Sequence, residues 1–198
     1  MPDASSPPSP VPAGETLGER LRSTRLAAGL GVRELGRRVG VSGSMISQIE
    51  KGVSRPSVST LYAITNELGV TLDGLFTTDP VPGEAPEPVV VRRDGEQAVM
   101  PLGKGVTYVL LGVDHERALR FLRIFFEVGG ESGGSEAFMR HGGSEYGYVQ
   151  AGRIGVTVGT ETHELRPGDT ITLNPQLPHR IFNLGDTSAE LFWVFVER

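Results

Sequence analysis

The sequence has no cysteine, one tryptophan and four histidines in 198 residues. Without cysteine, a disulfide framework, a thiolate metal site and a cysteine nucleophile are all excluded. No apolar run approaches the ~20 residues that span a bilayer. The opening MPDASSPPSPVPAG lacks the basic start and apolar stretch of a signal peptide. These absences predict a cytoplasmic protein without a membrane partner.

Basic residues are fewer than acidic residues, and they are unevenly distributed along the chain. The chain has 19 Lys and Arg against 24 Asp and Glu, a net charge of −5. Residues 15–77 hold eight basic and six acidic residues, a balance of +2, which leaves 11 basic and 18 acidic residues, a balance of −7, in the remainder. This asymmetry hints that only one part of the chain meets a polyanion such as DNA.

Composition and periodicity divide the chain into a tail, a helical unit, a linker and a β-rich unit. Residues 1–14, rich in Pro, Ser and Ala, are expected to form a disordered tail. Residues 15–77 carry helical periodicity, and residues 78–89 form a Pro-rich, acidic linker. Residues 90–198 contain short β-branched and aromatic segments separated by turn residues, which is typical of an antiparallel sandwich or barrel. The predicted fold class is α+β with more than one domain.

The stretch GVSGSMISQIEKG, which begins at Gly40, joins one helical pattern to another. Gly40 supplies a turn position with positive φ, Gly36 allows two helices to approach closely, and Ser42 is a good N-cap. If Ile46 and Ile49 face the core, the small polar residues between them face outward. Such residues let a helix backbone sit close to another surface, and Ser and Gln can bond phosphates or base edges.

The region from LGERLRSTRLAAGL to VTLDGLF resembles the phage-repressor-type (XRE) helix-turn-helix family. The resemblance implies five helices, with Val32–Arg38 as the second and Gly43–Glu50 as the recognition helix in the major groove. The residues implied to bind DNA are Arg33, Ser42, Gly43, Ser44, Met45, Ser47, Gln48, Lys51 and Arg55. The three cations in this set would hold phosphates. Gly31 stands where the family often has a Ser or Thr cap, and a merely solvated face is the alternative for Ser44 and Gln48.

The stretches GGSEAFMRHGGSEYGYVQAG and GDTITLNPQLPHRIFN resemble the two signature motifs of the cupin β-barrel. The matching positions are Gly133, His141, Glu145, Gly152, Gly168, His179 and Asn183. The sequence departs from the motifs at Met139, which replaces a histidine, at Asn174, which replaces a proline, and at Gln176, which replaces a glycine. The resemblance implies a cupin fold for residues 90–198, with an effector-binding and dimerising role.

Metal-binding cupins use these positions for three histidines and a glutamate. His141, Glu145 and His179 remain here, which is the composition of the facial triad that holds Fe(II). One divalent metal (Fe, Mn, Zn or Ni) is therefore one expectation, although the thioether of Met139 is a poor ligand. The alternative requires no cofactor, because these groups would bond an organic ligand or each other.

Several further side chains in the β-rich unit have two interpretations. The expected effector pocket comprises Arg123, Met139, His141, Glu145, His179 and Asn183. Arg123 could instead form a surface salt bridge. Tyr146, Tyr148 and Trp193 are expected in sheet packing or a dimer contact, and His115 and His163 at the surface.

The order of the two units resembles the XRE-cupin regulators over nearly the whole chain. The resemblance implies a homodimeric transcriptional regulator, without catalytic residues, that binds a palindromic double-stranded DNA operator and senses a small-molecule effector. The alternative is a mononuclear iron oxygenase similar to the epoxidases of phosphonate biosynthesis, whose helical domain is not used for DNA. A third possibility is an interaction protein with an inactive cupin.

Overall fold

The computed structural model describes residues 16–75, 89–93, 95–133 and 138–196. A helical domain precedes an antiparallel β-domain, which confirms the predicted fold class. The predicted tail and almost all of the predicted linker lie outside the described residues. No helix in the described ranges is both long and apolar enough to cross a membrane.

The helical domain has four α-helices and a 3-10 turn in the described ranges. The elements are α1 Leu17–Ala27, α2 Val32–Val39, α3 Gly43–Glu50, α4 Val58–Leu68 and the 3-10 turn Asp73–Leu75. The prediction of five helices is therefore corrected to four in this part of the chain. Gly69 ends α4 in the left-handed conformation, with φ 67°, and the short stretch from there to residue 75 has room only for the 3-10 turn.

The turn between α2 and α3 has the predicted geometry. Gly40 has φ 78°, and a Cβ on Gly36 would lie 2.7 Å from the Val41 carbonyl oxygen. Ser42 caps α3, because its Oγ accepts a hydrogen bond from the Met45 N–H at 3.1 Å. Gly31 gives α2 no side-chain cap, as expected.

The helical domain has an apolar core and a buried ion pair that joins two of its helices. Leu21, Leu35, Ile46, Ile49, Leu61 and Ile64 are its buried apolar residues. Arg25 of α1 donates from Nη2 to Glu50 Oε2 at 2.9 Å, and from Nη1 to the Leu30 carbonyl at 2.6 Å. Both charged side chains are only 7% exposed, so the pair fastens α1 to the end of α3 inside the domain.

The β-domain consists of two antiparallel sheets in the described residues, ordered β1-β2-β3-β9-β4-β7 and β6-β5-β8. The strands are β1 Ala98–Pro101, β2 Val106–Asp114, β3 Leu119–Phe126, β4 Ser144–Ala151, β5 Ile154–Val158, β6 Glu161–Leu165, β7 Thr170–Leu173, β8 His179–Asn183 and β9 Ala189–Val196. Burial alternates along β4, so that Glu145 and Val149 point inward while Tyr146 and Tyr148 point outward.

Backbone hydrogen bonds join the two domains. The Gly103 N–H donates to the Pro56 carbonyl at 2.7 Å, and the Ser59 N–H donates to the Ser132 carbonyl at 2.9 Å. The Ser132 Oγ in turn accepts from the Ile181 N–H of β8 at 2.9 Å. The start of α4 and the loop before it are therefore attached directly to the β-domain.

Candidate DNA-binding face and His–Glu–His site

The face of α3 opposite Ile46 and Ile49 carries the predicted base-contacting residues. Ser42, Ser44 and Gln48 are exposed, while Gly43, Met45 and Ser47 are half-buried. Met45 also packs against the core, so it is only partly available to a partner. The structure thus brings the predicted set together on one capped helix.

Three exposed cations surround this face: Arg33 at the start of α2, and Lys51 and Arg55 after α3. Within the described residues none of the three forms an ion pair. Arg37 and Arg38, by contrast, each lie 2.7 Å from Glu34, as expected for an ordinary charged surface. The cations near α3 are therefore available for phosphate oxygens.

The face of α3 carries no exposed negative charge. Glu50 is the only acidic residue of the helix, and it is buried against Arg25. The hydrogen bonds that Arg25 donates to Glu50, together with the charge of the carboxylate, raise the pKa of Arg25. Repulsion between α3 and a phosphate backbone is thereby avoided.

In the β-domain, His141, Glu145 and His179 converge on one point. His141 Nε2 lies 2.7 Å from Glu145 Oε1, and His179 Nε2 lies 3.6 Å from the same oxygen. The three side chains are 6%, 1% and 0% exposed. These three atoms are buried and have no partner with hydrogen-bond geometry among the described residues. They are therefore aimed at a common point without satisfying one another.

Neighbouring groups orient each of the three side chains. His141 Nδ1 lies 3.1 Å from the Gly142 carbonyl, and His179 Nδ1 lies 3.0 Å from the Leu177 carbonyl. A carbonyl can only accept, so both Nδ1 atoms carry the proton and both Nε2 lone pairs point into the site. The Trp193 Nε1–H donates to Glu145 Oε2 at 2.8 Å, which leaves Oε1 for the site.

The electrostatics favour a bound cation. Burial raises the pKa of Glu145, but the adjacent His141 and His179 together lower it by more than burial raises it. The net shift is downward, and the carboxylate is ionised. Burial lowers the pKa of His179, and Glu145 raises it by more. Without a metal, Glu145 thus favours a second proton on His179, at the Nε2 that faces it, and a divalent cation could take the place of that second proton.

The donor set fits a divalent metal. Two imidazole nitrogens and a carboxylate oxygen lie within 4.8 Å of one another, and all three atoms are otherwise unused. Met139 is 4% exposed and is bonded through its backbone to His179 in both directions, at 2.8 and 3.0 Å. His141, Glu145 and His179 could therefore hold a metal, with Met139 beside them in place of a fourth ligand.

Two residues of the expected effector pocket are not brought to this group. Arg123 lies on the opposite face of β3 and pairs with Glu190 at 2.7 Å, which matches the surface alternative. Asn183 points inward, but its amide nitrogen donates to the carbonyls of Phe126, Glu127 and Thr187. The amide of Asn183 is thus committed to holding loops together rather than to a ligand.

Sequence reasoning missed Arg120, the arginine of β3 that does point inward. It is 1% exposed, and its guanidinium carbon lies 5.5 Å from the centre of the Phe195 ring. Strand alternation could have found it, because Arg120 shares its face with Leu122 and Ile124. His115 and His163 are exposed, as predicted.

The contacts that two aromatic residues make with the His–Glu–His group were also missed. Trp193, expected in sheet packing or a dimer contact, is fully buried over Gly147 and bonds Glu145. Its alternation with Leu191 and Phe195 could have predicted the burial but not the partner. Tyr62 of α4 stacks on His141, a contact between domains that no local pattern in the sequence signals.

Comparison with known proteins identifies both domains. A helix-turn-helix family profile matches residues 21–75, and a cupin domain profile matches residues 126–195. The HTH-type transcriptional regulator PuuR of Escherichia coli K12 is 29% identical over 167 residues, which cover 84% of this chain and 86% of PuuR. The chain is an XRE-type helix-turn-helix protein with a C-terminal cupin domain.

Solved structures share the fold of this XRE-cupin protein. An HTH_3 family transcriptional regulator from Vibrio cholerae superposes with a TM-score of 0.65 at 22% identity, covering 92% of this chain and 95% of that one. A hydroxypropylphosphonic acid epoxidase from S. wedmorenis has a TM-score of 0.46 at 19% identity, covering 90% and 96%. The second likeness is too low to bear on activity.

Proposed function

We propose that this XRE-cupin protein is a transcriptional regulator that binds operator DNA through α3 and responds to a small-molecule effector in its cupin domain. The observation that carries the proposal is the outer face of α3, where small polar side chains lie on a capped helix. The cations around it form no ion pair with any residue that the structure describes. This role places the protein with the chromosome, in the cytoplasm. The relationship to PuuR, which is named a transcriptional regulator, supports it.

The chemistry of the face distinguishes two kinds of contact. The Gln48 amide can donate and accept at once, which suits an adenine edge, and the Ser44 hydroxyl can bond several bases. Arg33, Lys51 and Arg55 would bind phosphates and fix the position of the helix without selecting a sequence.

Replacing Gln48 by alanine is expected to weaken specific binding by about 5- to 150-fold, because a bidentate base contact is worth ~1–3 kcal/mol. Lys51→Ala should instead weaken binding to all sequences and lower the salt dependence by about one phosphate contact. Fluorescence anisotropy with the promoter fragment of the protein's own gene and with a scrambled duplex measures both. Arg37→Ala, whose guanidinium pairs with Glu34, is the matched control and should change little. Specific binding that survives Gln48→Ala unchanged would contradict the assignment of α3.

A palindromic operator requires a dimer, and the outer face of the larger sheet offers a surface for one. Phe121, Tyr146 and Tyr148 are 37%, 47% and 40% exposed, and they lie beside Phe192 and Val194 in a shallow groove. Two recognition helices about 34 Å apart can bind successive major grooves, which requires two copies of this chain. We infer that the second copy covers this groove, because an exposed apolar patch of this kind marks an interaction surface.

The double variant Tyr146→Lys/Tyr148→Lys is expected to convert the dimer to a monomer, because it places two charges in an apolar contact. Multi-angle light scattering gives the mass in solution. The reference variant is His163→Lys, at an exposed position of the smaller sheet, which should remain dimeric. A wild-type monomer, or a double variant that stays dimeric, would exclude this surface.

The His–Glu–His group is proposed to hold one divalent metal, and the effector beside it. A metal with three protein ligands keeps open coordination positions, which a small polar molecule could fill. His141 and His179 would ligate through Nε2 and Glu145 through Oε1, while Trp193 holds the other carboxylate oxygen. The effector changes DNA affinity only if it binds the two arrangements of the dimer unequally.

The same group supports a second candidate function, an iron-dependent oxygenase. Two imidazoles and one carboxylate form the set that presents iron with open positions. Iron-dependent oxygen uptake without salt-sensitive DNA binding would favour the enzyme. Binding without oxygen uptake would favour the regulator.

A further inference from the structure

An aromatic residue of the helical domain covers the His–Glu–His group. The ring of Tyr62, on α4, stacks on the ring of His141 with centroids 4.7 Å apart and planes 8° apart. Phe195 of β9 supports both rings, at 6.3 Å from Tyr62 and 6.2 Å from His141. Tyr62 is only 4% exposed, so the stack is part of the contact between the domains.

A cleft beside this stack is lined by both domains. The lining residues are Tyr62, Thr65, Asn66, Val70 and Leu72 from the helical domain, and His141 and Gly142 from the cupin domain. The cleft encloses about 150 Å³, below the roughly 300–1,000 Å³ of pockets for drug-sized ligands. The cleft therefore has room only for a small molecule, in contact with Tyr62 and His141.

The helix that carries Tyr62 is fixed to the rest of the helical domain. Leu61 and Ile64, on the other side of α4, are fully buried in the core that also holds Ile46 and Ile49 of α3. The start of α4 is bonded to the cupin domain through Ser132, whose Oγ accepts from β8.

α4 packs against α2, where Arg38 lies 2.8 Å from Glu67, and α2 packs against the start of α3 at Gly36. A shift of α4 therefore reaches α3 through α2, while the stack on His141 and the bond to Ser132 hold α4 against the cupin domain.

We propose that Tyr62, through its stack on His141, transmits occupancy of the His–Glu–His group to the DNA-binding domain. The inference rests on the proposed metal site. A cation bound at His141 Nε2 withdraws electrons from the imidazole, and the electron-rich face of Tyr62 holds such a ring more tightly. Metal binding at the site therefore stabilises the contact between the helical domain and the cupin domain. Because the coupling is reciprocal, the Tyr62–His141 stack also raises the affinity for the metal.

Nickel ions alone serve as the probe, and Trp193 provides the readout. Trp193 is the only tryptophan and bonds Glu145, so quenching of its fluorescence reports loading without any DNA. Tyr62→Leu, which removes the ring, is expected to weaken nickel binding by about two- to tenfold, whereas Tyr62→Phe, which keeps the ring, stays within about twofold of wild type. His163→Ala, which removes an exposed histidine of the smaller sheet, is the control and is expected to bind nickel as wild type does.

Hydrogen exchange in α4 tests the transmission directly, and its wild-type result does not depend on how well any variant folds. Nickel should slow exchange over residues 58–68 in wild type and in Tyr62→Phe, but not in Tyr62→Leu. If nickel binds wild type and Tyr62→Leu equally well and leaves exchange in α4 unchanged, the inference is overturned while the metal site stands. If wild type binds no nickel, the metal site falls and the inference with it. Absence of DNA binding would count only against the regulator.

Discussion

Arg25→Met is expected to lower the free energy of unfolding by about 3–5 kcal/mol, the range for breaking one partner of a buried ion pair. The methionine retains the apolar stem of Arg25 but leaves the Glu50 carboxylate buried without its partner. It also leaves the Leu30 carbonyl without the donor that now lies 2.6 Å away. Urea denaturation followed by circular dichroism measures the loss, and DNA anisotropy should show weaker binding, because Glu50 ends the recognition helix.

A double-variant cycle separates the ion pair from simple packing. Arg25→Met/Glu50→Leu replaces both charges by apolar groups and is expected to recover much of the stability, since a buried pair and an apolar pair of similar size are often equivalent. Arg38→Ala is the surface control: its partners Glu34 and Glu67 are partly exposed to solvent, and the loss should be much smaller. A loss for Arg25→Met as small as that for Arg38→Ala would mean that water reaches Glu50.

The helix-turn-helix could be predicted because its signals are local. The left-handed turn at Gly40, the Ser42 cap and the two isoleucines of α3 lie within ten residues of one another, and each signal fixes backbone geometry by itself. The His–Glu–His group could be predicted because strand alternation and the cupin motif agree. What local signals could not give is which charged or aromatic residues are buried by packing with distant segments.

Arg25, Arg120, Trp193 and Tyr62 illustrate that limit. Arg25 resembles any basic residue in the last turn of a helix, and its burial depends on Glu50, 25 positions away. Arg120 and Arg123 both lie on β3, and their roles depend on which face of that strand is inside. Trp193 acts through Glu145, 48 positions away, and Tyr62 meets His141 only because the two domains pack together.

Protein produced in medium supplemented with iron, manganese or zinc is expected to carry about one equivalent of metal, and His141→Ala to carry almost none, because two remaining ligands are too few to hold a divalent ion against water. Mass spectrometry of the purified protein gives the metal content. His163→Ala is the matched control, since His163 is exposed and should not affect metal. Trp193→Phe keeps all three ligands but frees Glu145 Oε2, so affinity should fall by about 10- to 100-fold. Wild-type protein without metal would contradict the metal site, and His141, Glu145 and His179 would then be expected to bond an organic effector directly.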